Sequence, residues 1–246
     1  MGERLLLTAE KMEASLGEAL SEFSQTFGSV SGTVRIGTPD GLGTYFLVSR
    51  MAELALQYPE LVIQLVPLPR TFSLSRREAD MAITIDRPVE GRLTVQKLTD
   101  YSLSAYASRH NLDTAGPIRT LTDLADRTLI TYVQDLMYSP ALDYAGELER
   151  ATRRRFECAS VTAQLEAVRA GAGVGILHDY AARQHPELVR VLPDFSIERN
   201  YWLVTHNDQR SLRRIAVFHD FIVEQMRRAG KAFFCPFAIA SAENAP

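Results

Sequence analysis

The residues best placed to do chemistry lie in 32–68, GTVRIGTPDGLGTYFLVSRMAELALQYPELVIQLVPL. An apolar run, Val34–Gly37, leads into a polar, glycine-rich turn, then into a stretch of helical periodicity that stops at Tyr58-Pro59. A polar turn between a buried strand and a helix start presents backbone N–H groups and a favourable field to a small anion. Other chemistries fall away on spacing. Gly171-Ala172-Gly173-Val174-Gly175 invites a phosphate-loop reading, but a dinucleotide fingerprint needs a strand before it and a helix after it. Here a helical pattern precedes and an apolar strand follows, so the glycines read as a helix terminator. His110, His178, His185, His206 and His219 form no HExxH and no other tight ligand spacing, so no metal is expected. No GxSxG accompanies His178-Asp179, and no catalytic pair or cofactor motif is found. The two cysteines, Cys158 and Cys235, form no CxxC and read as free, mostly buried thiols.

Composition narrows the class. The chain has 246 residues, 46% hydrophobic and 23% charged, as in an ordinary globular protein with room for one or two well-filled cores. A net charge of −3 and a pI near 6.0 argue against gripping nucleic acid over a broad surface. No stretch approaches the ~20 apolar residues of a membrane span. MGERLLLTAEKMEASL has no export signal, and Leu6 stands where myristoylation needs a hydroxyl, so the expected location is the cytoplasm.

Elements must position these groups. Residues 5–27 read as one long helix, with Leu5, Ala9, Met12, Leu16, Ala19, Phe23 and Phe27 spaced four, three, four, three, four and four. That is close to a heptad seam, with Glu10, Lys11, Glu13, Glu18 and Glu22 off it. Gly17 costs the helix about 1 kcal/mol. The seam Leu5, Ala9, Met12, Leu16, Ala19 and Phe23 is read as packing on a second copy of the chain, the alternative being its own domain. Gly28–Gly32 is a flexible linker.

Beyond it, strands Val34–Gly37, Val62–Val66 and Met81–Ile85 alternate with a helix over Tyr45–Tyr58. A second unit of similar grammar has strand Thr128–Val133, helix Pro140–Arg150, strand Arg155–Ala159 and helix Val161–Ala170. A strand follows at the glycine run ending in Leu177. Strands joined through helices imply parallel pairing. Ser102–Ser108 and Tyr201–His206 are strand-like, and if both cross between the units the helix Ser211–Arg228 completes the first. The predicted class is α/β, two Rossmann-like lobes joined by two crossover strands, with ligands at the carboxyl ends of strands. Arg153-Arg154-Arg155 reads as a solvated strand edge, where charge discourages further pairing.

Five segments together resemble the C-terminal part of LysR-type transcriptional regulators, the linker helix plus the effector-binding domain. They are Leu7-Thr8-Ala9, Gly32-Thr33-Val34-Arg35-Ile36-Gly37, Tyr58-Pro59, Ala79-Asp80-Met81-Ala82-Ile83 and Val168–Ile176. In this order and spacing they span nearly the whole chain. The resemblance implies a periplasmic-binding-protein-like fold preceded by a linker helix. Residues 1–31 would be the linker and hinge, and 32–246 the effector-binding domain. Lobe I would comprise about 32–102 and 207–246, and lobe II about 103–206. The family's N-terminal winged helix-turn-helix does not occur in this sequence, so DNA is expected to be reached only through a domain outside it. Where family members commonly carry proline after the glycine-rich run, this chain has Leu177-His178-Asp179.

The resemblance also implies where an effector sits, between the lobes, where it favours one closure state. One wall would be Thr38, Pro39, Asp40, Gly41, Leu42, Gly43 and Thr44. There the Thr38 or Thr44 hydroxyl and backbone N–H groups would hold a carboxylate. Asp40 opposes an anion unless it caps a helix or meets a polar group of the ligand. The second wall would carry Arg70, Thr71 and Ser73, with Arg70 able to pair bidentately with a carboxylate. The other lobe would supply Tyr132, Val133 and Gln134, then Ser160 and Thr162, either of the last two also a possible N-cap. Asp80 is assigned a structural role at a strand start. The expected partners are a small, anionic effector and a homodimer or tetramer, with no membrane. Two alternatives remain, a stand-alone binding protein or truncated regulator and an enzyme of the same architecture.

Overall fold

The computed structural model describes Met12 and residues 30–67, 79–88, 93–206 and 209–234. One eight-stranded sheet runs through it in the order β2-β1-β3-β8-β4-β7-β5-β6. Its strands are β1 (Gly32–Thr38), β2 (Leu61–Pro67), β3 (Met81–Thr84), β4 (Leu93–Ser108), β5 (Thr128–Tyr132), β6 (Arg154–Cys158), β7 (Val174–His178) and β8 (Leu188–His206). β1 pairs in parallel with β2 and β3, and β5 in parallel with β6 and β7. These are the two strand–helix–strand units, each with its inner apolar strands buried. Val34, Ile36, Met81 and Ile83 have no measurable exposure on one side, nor Leu129 and Val174 on the other.

β4 and β8 are far longer than the expected Ser102–Ser108 and Tyr201–His206, at 16 and 19 residues. They pair antiparallel from Leu93↔His206 to Ser108↔Leu188 and so span both units. At one end β3 adds to β8 through Met81↔Thr205, and at the other β7 adds to β4 through Ala107↔Val174. The register slips at Lys97/Thr99 and Ser104/Ala105. The second slip lets Leu192–Phe195 leave the ladder, with Leu192 at φ 50.

The helices are α1 (Asp40–Leu42, then Gly43–Leu47 in π form, then Val48–Gln57), α2 (Arg109–Ala115), α3 (Gly146–Ala151), α4 (Val161–Arg169), α5 (Asp179–Ala182) and α6 (Arg213–Ala229). α6 buries Ile215, Phe218, Ile222 and Met226, a 3.6-residue stripe. Each such side chain is worth about 1.5–3 kcal/mol of burial. Glu224 pairs with Arg227 and Arg228 on its exposed face. Beyond α6, Phe233 is fully buried against Phe46 and Tyr180, ring centroids 4.7 and 4.8 Å apart.

Two expectations are corrected. The glycine-rich "turn" is itself helical: Pro39 precedes it at φ −55, and the chain helixes from Asp40 rather than Tyr45. Its glycines serve close packing. A Cβ on Gly41 would stand 2.8 Å from Val161 Cγ1, and one on Gly43 2.9 Å from Thr38 Cγ2. The helix expected over Pro140–Arg150 is broken into a 3-10 turn, Pro140–Leu142, and α3. Asp143 lies off the helical region at φ −84, ψ 82, and Gly146 is a poor helix former. Gly171, at φ +85, does terminate α4, and β6, with the exposed Arg154 and Arg155, is the sheet edge. Asp80 ties β3 to β1: its carboxylate accepts from Arg35 N at 2.7 Å while its own N–H donates to Arg35 O. Of the expected seam only Met12 is described, helical and 71% exposed; Leu5, Ala9, Leu16, Ala19 and Phe23 lie outside the described residues, as does Cys235. Cys158 is a buried free thiol.

Candidate functional site

The carboxyl ends of β1, β2, β3, β5, β6 and β7 converge on one cavity of about 440 Å³. Its lining follows those ends closely: Pro39, Asp40 and Gly41 after β1, Pro67 on β2, Ile85 after β3, Tyr132 on β5, Ala159, Ser160 and Val161 after β6, and His178 on β7. Tyr101 of β4 and the irregular segment holding Leu136, Tyr138, Leu142 and Tyr144 complete it. The wall is therefore built from both units and dominated by four tyrosines.

Two aspartates of the first unit clasp the second across this cavity. Asp40 Oδ2 accepts hydrogen bonds from Thr162 N at 3.1 Å and Thr162 Oγ1 at 3.0 Å. A carboxylate thus sits at the start of α4, where unpaired N–H groups and the helix field favour it. The second clasp runs from Ser139, whose hydroxyl donates to Asp86 Oδ2 and also accepts from Ala141 N at 2.9 Å. Gly41, next to Asp40, packs directly on Val161.

Two of the lining residues, His178 and Tyr101, belong to a buried aromatic stack. The His178 ring lies on Tyr101 at 5.3 Å and Tyr101 on Tyr201 at 4.1 Å. Next to His178, the fully buried Asp179 accepts from the hydroxyls of Ser102, Tyr106 (2.7 Å) and Ser104 (3.3 Å). Burial pushes the His178 imidazole down to about 4, so it is neutral at pH 7. Burial, with Asp40 and Asp86 nearby, pushes the Tyr138 phenol up to about 12. Burial likewise raises Tyr132 and Tyr144, so the cavity presents neutral phenols.

A pH dependence follows. An unfolded histidine titrates near 6.5 and the folded His178 near 4, so protonation favours the unfolded chain. Stability is whole above pH ~6.5 and falls by about 3 kcal/mol by pH 4. Urea midpoints measured between pH 7 and 4 should show this slope in the wild type. They should show it reduced in His178→Gln; an equal slope in both would remove His178 as its source.

The structure brings together part of the expected site. Asp40, Gly41, Tyr132 and Ser160 line the cavity, and Thr162 stands behind it on Asp40. Ser160 is the N-cap of α4, accepting from Ala163 N at 3.1 Å. Thr38 is buried against Gly43, its hydroxyl donating to Pro39 O at 3.3 Å. Thr44 and Gln134 are exposed and Val133 half-buried, all three outside the lining. Arg70, Thr71 and Ser73 lie outside the described residues. Sequence reasoning missed Tyr101, Tyr138, Tyr144 and His178. The available signal was the place of His178 at a strand end and the tyrosine density over 132–144; Tyr101, inside β4, gave none.

A two-lobed sheet with a clasped cavity between its halves defines a hinged small-molecule-binding domain. The chain belongs to the LysR substrate binding domain family, which matches residues 27–227. It is 26% identical over 98% of its length to the HTH-type transcriptional regulator PtxR of Pseudomonas aeruginosa, covering 78% of that protein. It is 23% identical over 90% of its length to the glycine cleavage system transcriptional activator of Escherichia coli, covering 73%. Among solved structures, the regulatory domain of CrgA, a LysR-type transcriptional regulator from Neisseria meningitidis, aligns with a TM-score of 0.70 at 19% identity, over 80% of this chain and 100% of that one. The Synechocystis PCC6803 CcmR regulatory domain in complex with 2-PG aligns at 0.62 and 20% identity, over 81% and 100%. Both share the α/β, periplasmic-binding-protein-like fold. Among the described residues no helix is long and apolar enough to cross a membrane.

Proposed function

We propose that this chain is the effector-sensing portion of a LysR-type transcriptional regulator, not an enzyme. It binds a small metabolite in the interlobe cavity and passes the resulting closure through the segment 1–31 to DNA-binding domains of the intact regulator. The observation that carries this reading is the cavity itself, walled by both units and bridged by Asp40–Thr162 and Asp86–Ser139. Family membership supports it, as does the relative whose regulatory domain holds 2-PG. We place lobe I at about 32–102 and 207–246 and lobe II at about 103–206, assembled as a homodimer or tetramer in the cytoplasm. An anionic effector was expected at the helix starts. A carboxylate already occupies the α4 start, that of Asp40, which disfavours an anion there.

The clasps make the closure testable. Hydrogen bonds to a charged group are worth about 1.5–3 kcal/mol, so Asp40→Ala should shift the closed-to-open ratio about 10–100-fold toward open. Spin labels at the exposed Glu53 and Glu157, with the native cysteines replaced, report the interlobe distance. The expected result is a longer or broader distribution in Asp40→Ala and Thr162→Val, narrowed again by ligand. An unchanged distribution would mean that the clasp does not govern closure.

A further inference from the structure

We propose that the cavity takes an uncharged, ring-bearing compound with a hydrogen-bonding group, rather than an anion. This rests on the effector-binding reading and specifies its ligand class. Three observations carry it. The wall is aromatic: Tyr101, Tyr132, Tyr138 and Tyr144 line the cavity, and aromatic side chains pack favourably on a ring. Its charge is the wrong sign for an anion. Among the described lining residues no lysine or arginine occurs, and Asp40 is the one carboxylate. The nearby Arg199 donates to backbone carbonyls, Ala141 O at 3.5 Å and Glu198 O at 2.9 Å. A second carboxylate beside Asp40 would meet like charge in a partly desolvated site. Asp40 keeps its charge although its Oδ2 accepts from both Thr162 donors, so a cationic ring is the competing class that the experiment must separate.

The third observation concerns hydrogen-bonding capacity. Two buried polar atoms of lining side chains, Tyr144 Oη and His178 Nδ1, have no hydrogen-bond partner in the protein. Buried polar groups are nearly always paired, and an unpaired one is costly. A neutral phenol and a neutral imidazole match an amide, hydroxyl or carbonyl group on the ligand, with no ion to desolvate.

The experiment titrates benzamide, benzoate and protonated benzylamine, rings of similar size and different charge, into the full chain at pH 7, followed by protein NMR. Benzamide should bind at least tenfold more tightly than either ion. Tyr144→Phe should weaken benzamide at least threefold while raising the melting temperature of the protein alone, since it removes a buried hydroxyl without a partner. Benzoate or benzylamine binding as tightly as benzamide would overturn the proposal. So would indifference of benzamide affinity to Tyr144→Phe, or binding by none of the three. Benzoate binding that perturbs Tyr132 and Tyr138 resonances would overturn the ligand class and still support a sensing cavity. The sensing reading itself fails only if cell metabolites do not act on the cavity.

Discussion

Asp179→Ala is expected to destabilise the domain by about 3–5 kcal/mol, because it removes a buried carboxylate that accepts three hydrogen bonds, each worth about 1.5–3 kcal/mol and not fully additive. Asp179 has no measurable exposure, and its carboxylate gathers the hydroxyls of Ser102, Ser104 and Tyr106. Removing it takes away the acceptor shared by three buried hydroxyls of β4, the strand that joins the two units. A loss of this size is a large share of the 5–15 kcal/mol that holds a typical domain folded. Denaturant unfolding should show a much lower midpoint. Ser104→Ala, which removes only the longest of the three contacts (3.3 Å), should cost about 1 kcal/mol or less. Equal losses in the two variants would contradict the network as described. Asp179 belongs to Leu177-His178-Asp179, the run at which the sequence departs from the pattern that the resemblance implies, and it has a structural role here.

The second large effect is on ligand binding rather than folding. Gly41→Leu should leave the lobes unable to close and weaken effector binding about 100-fold, in proportion to the loss of the binding-competent state. A Cβ at Gly41 meets Val161 Cγ1 at 2.8 Å and Val161 Cβ at 3.3 Å, so α1 and α4 must separate. Separation breaks both bonds from Thr162 to Asp40. The substitution suits its own lobe, because Gly41 is helical and leucine is a better helix former than glycine. The melting temperature should therefore move little while the label distance between Glu53 and Glu157 lengthens. A large drop in melting temperature with unchanged distance would mean that Gly41 serves folding alone.

Much of the scaffold was legible because buried parallel strands and amphipathic helices write their periods into the chain. Val34–Gly37, Met81–Ile85 and Val161–Ala170 are examples that differ from the observed elements only at their ends. What stayed hidden depends on contacts between segments distant in sequence. Nothing near Gly41 announces that Val161, 120 residues away, needs the space of its missing side chain, so a helical start read as a turn. Asp40 was recognised as awkward for an anion and as a possible cap. That it caps a helix of the other unit is a property of the assembled cleft. Tyr144 lay inside a segment read as helix, 140–150, and Tyr138 just before it. The break at Asp143 interrupts that helix, and both tyrosines line the cavity.

The measurement that tests the central claim most directly is the melting temperature of the wild type and of Gly41→Leu, each with and without the small-molecule fraction of cells that make the protein. If the interlobe cavity senses a metabolite, the fraction should raise the wild-type melting temperature and leave Gly41→Leu unmoved. A ligand present at 100 times its Kd supplies about 2.7 kcal/mol, well within reach of detection. An equal rise in both proteins would place the ligand elsewhere. No rise in either would contradict the account of this chain as a metabolite sensor.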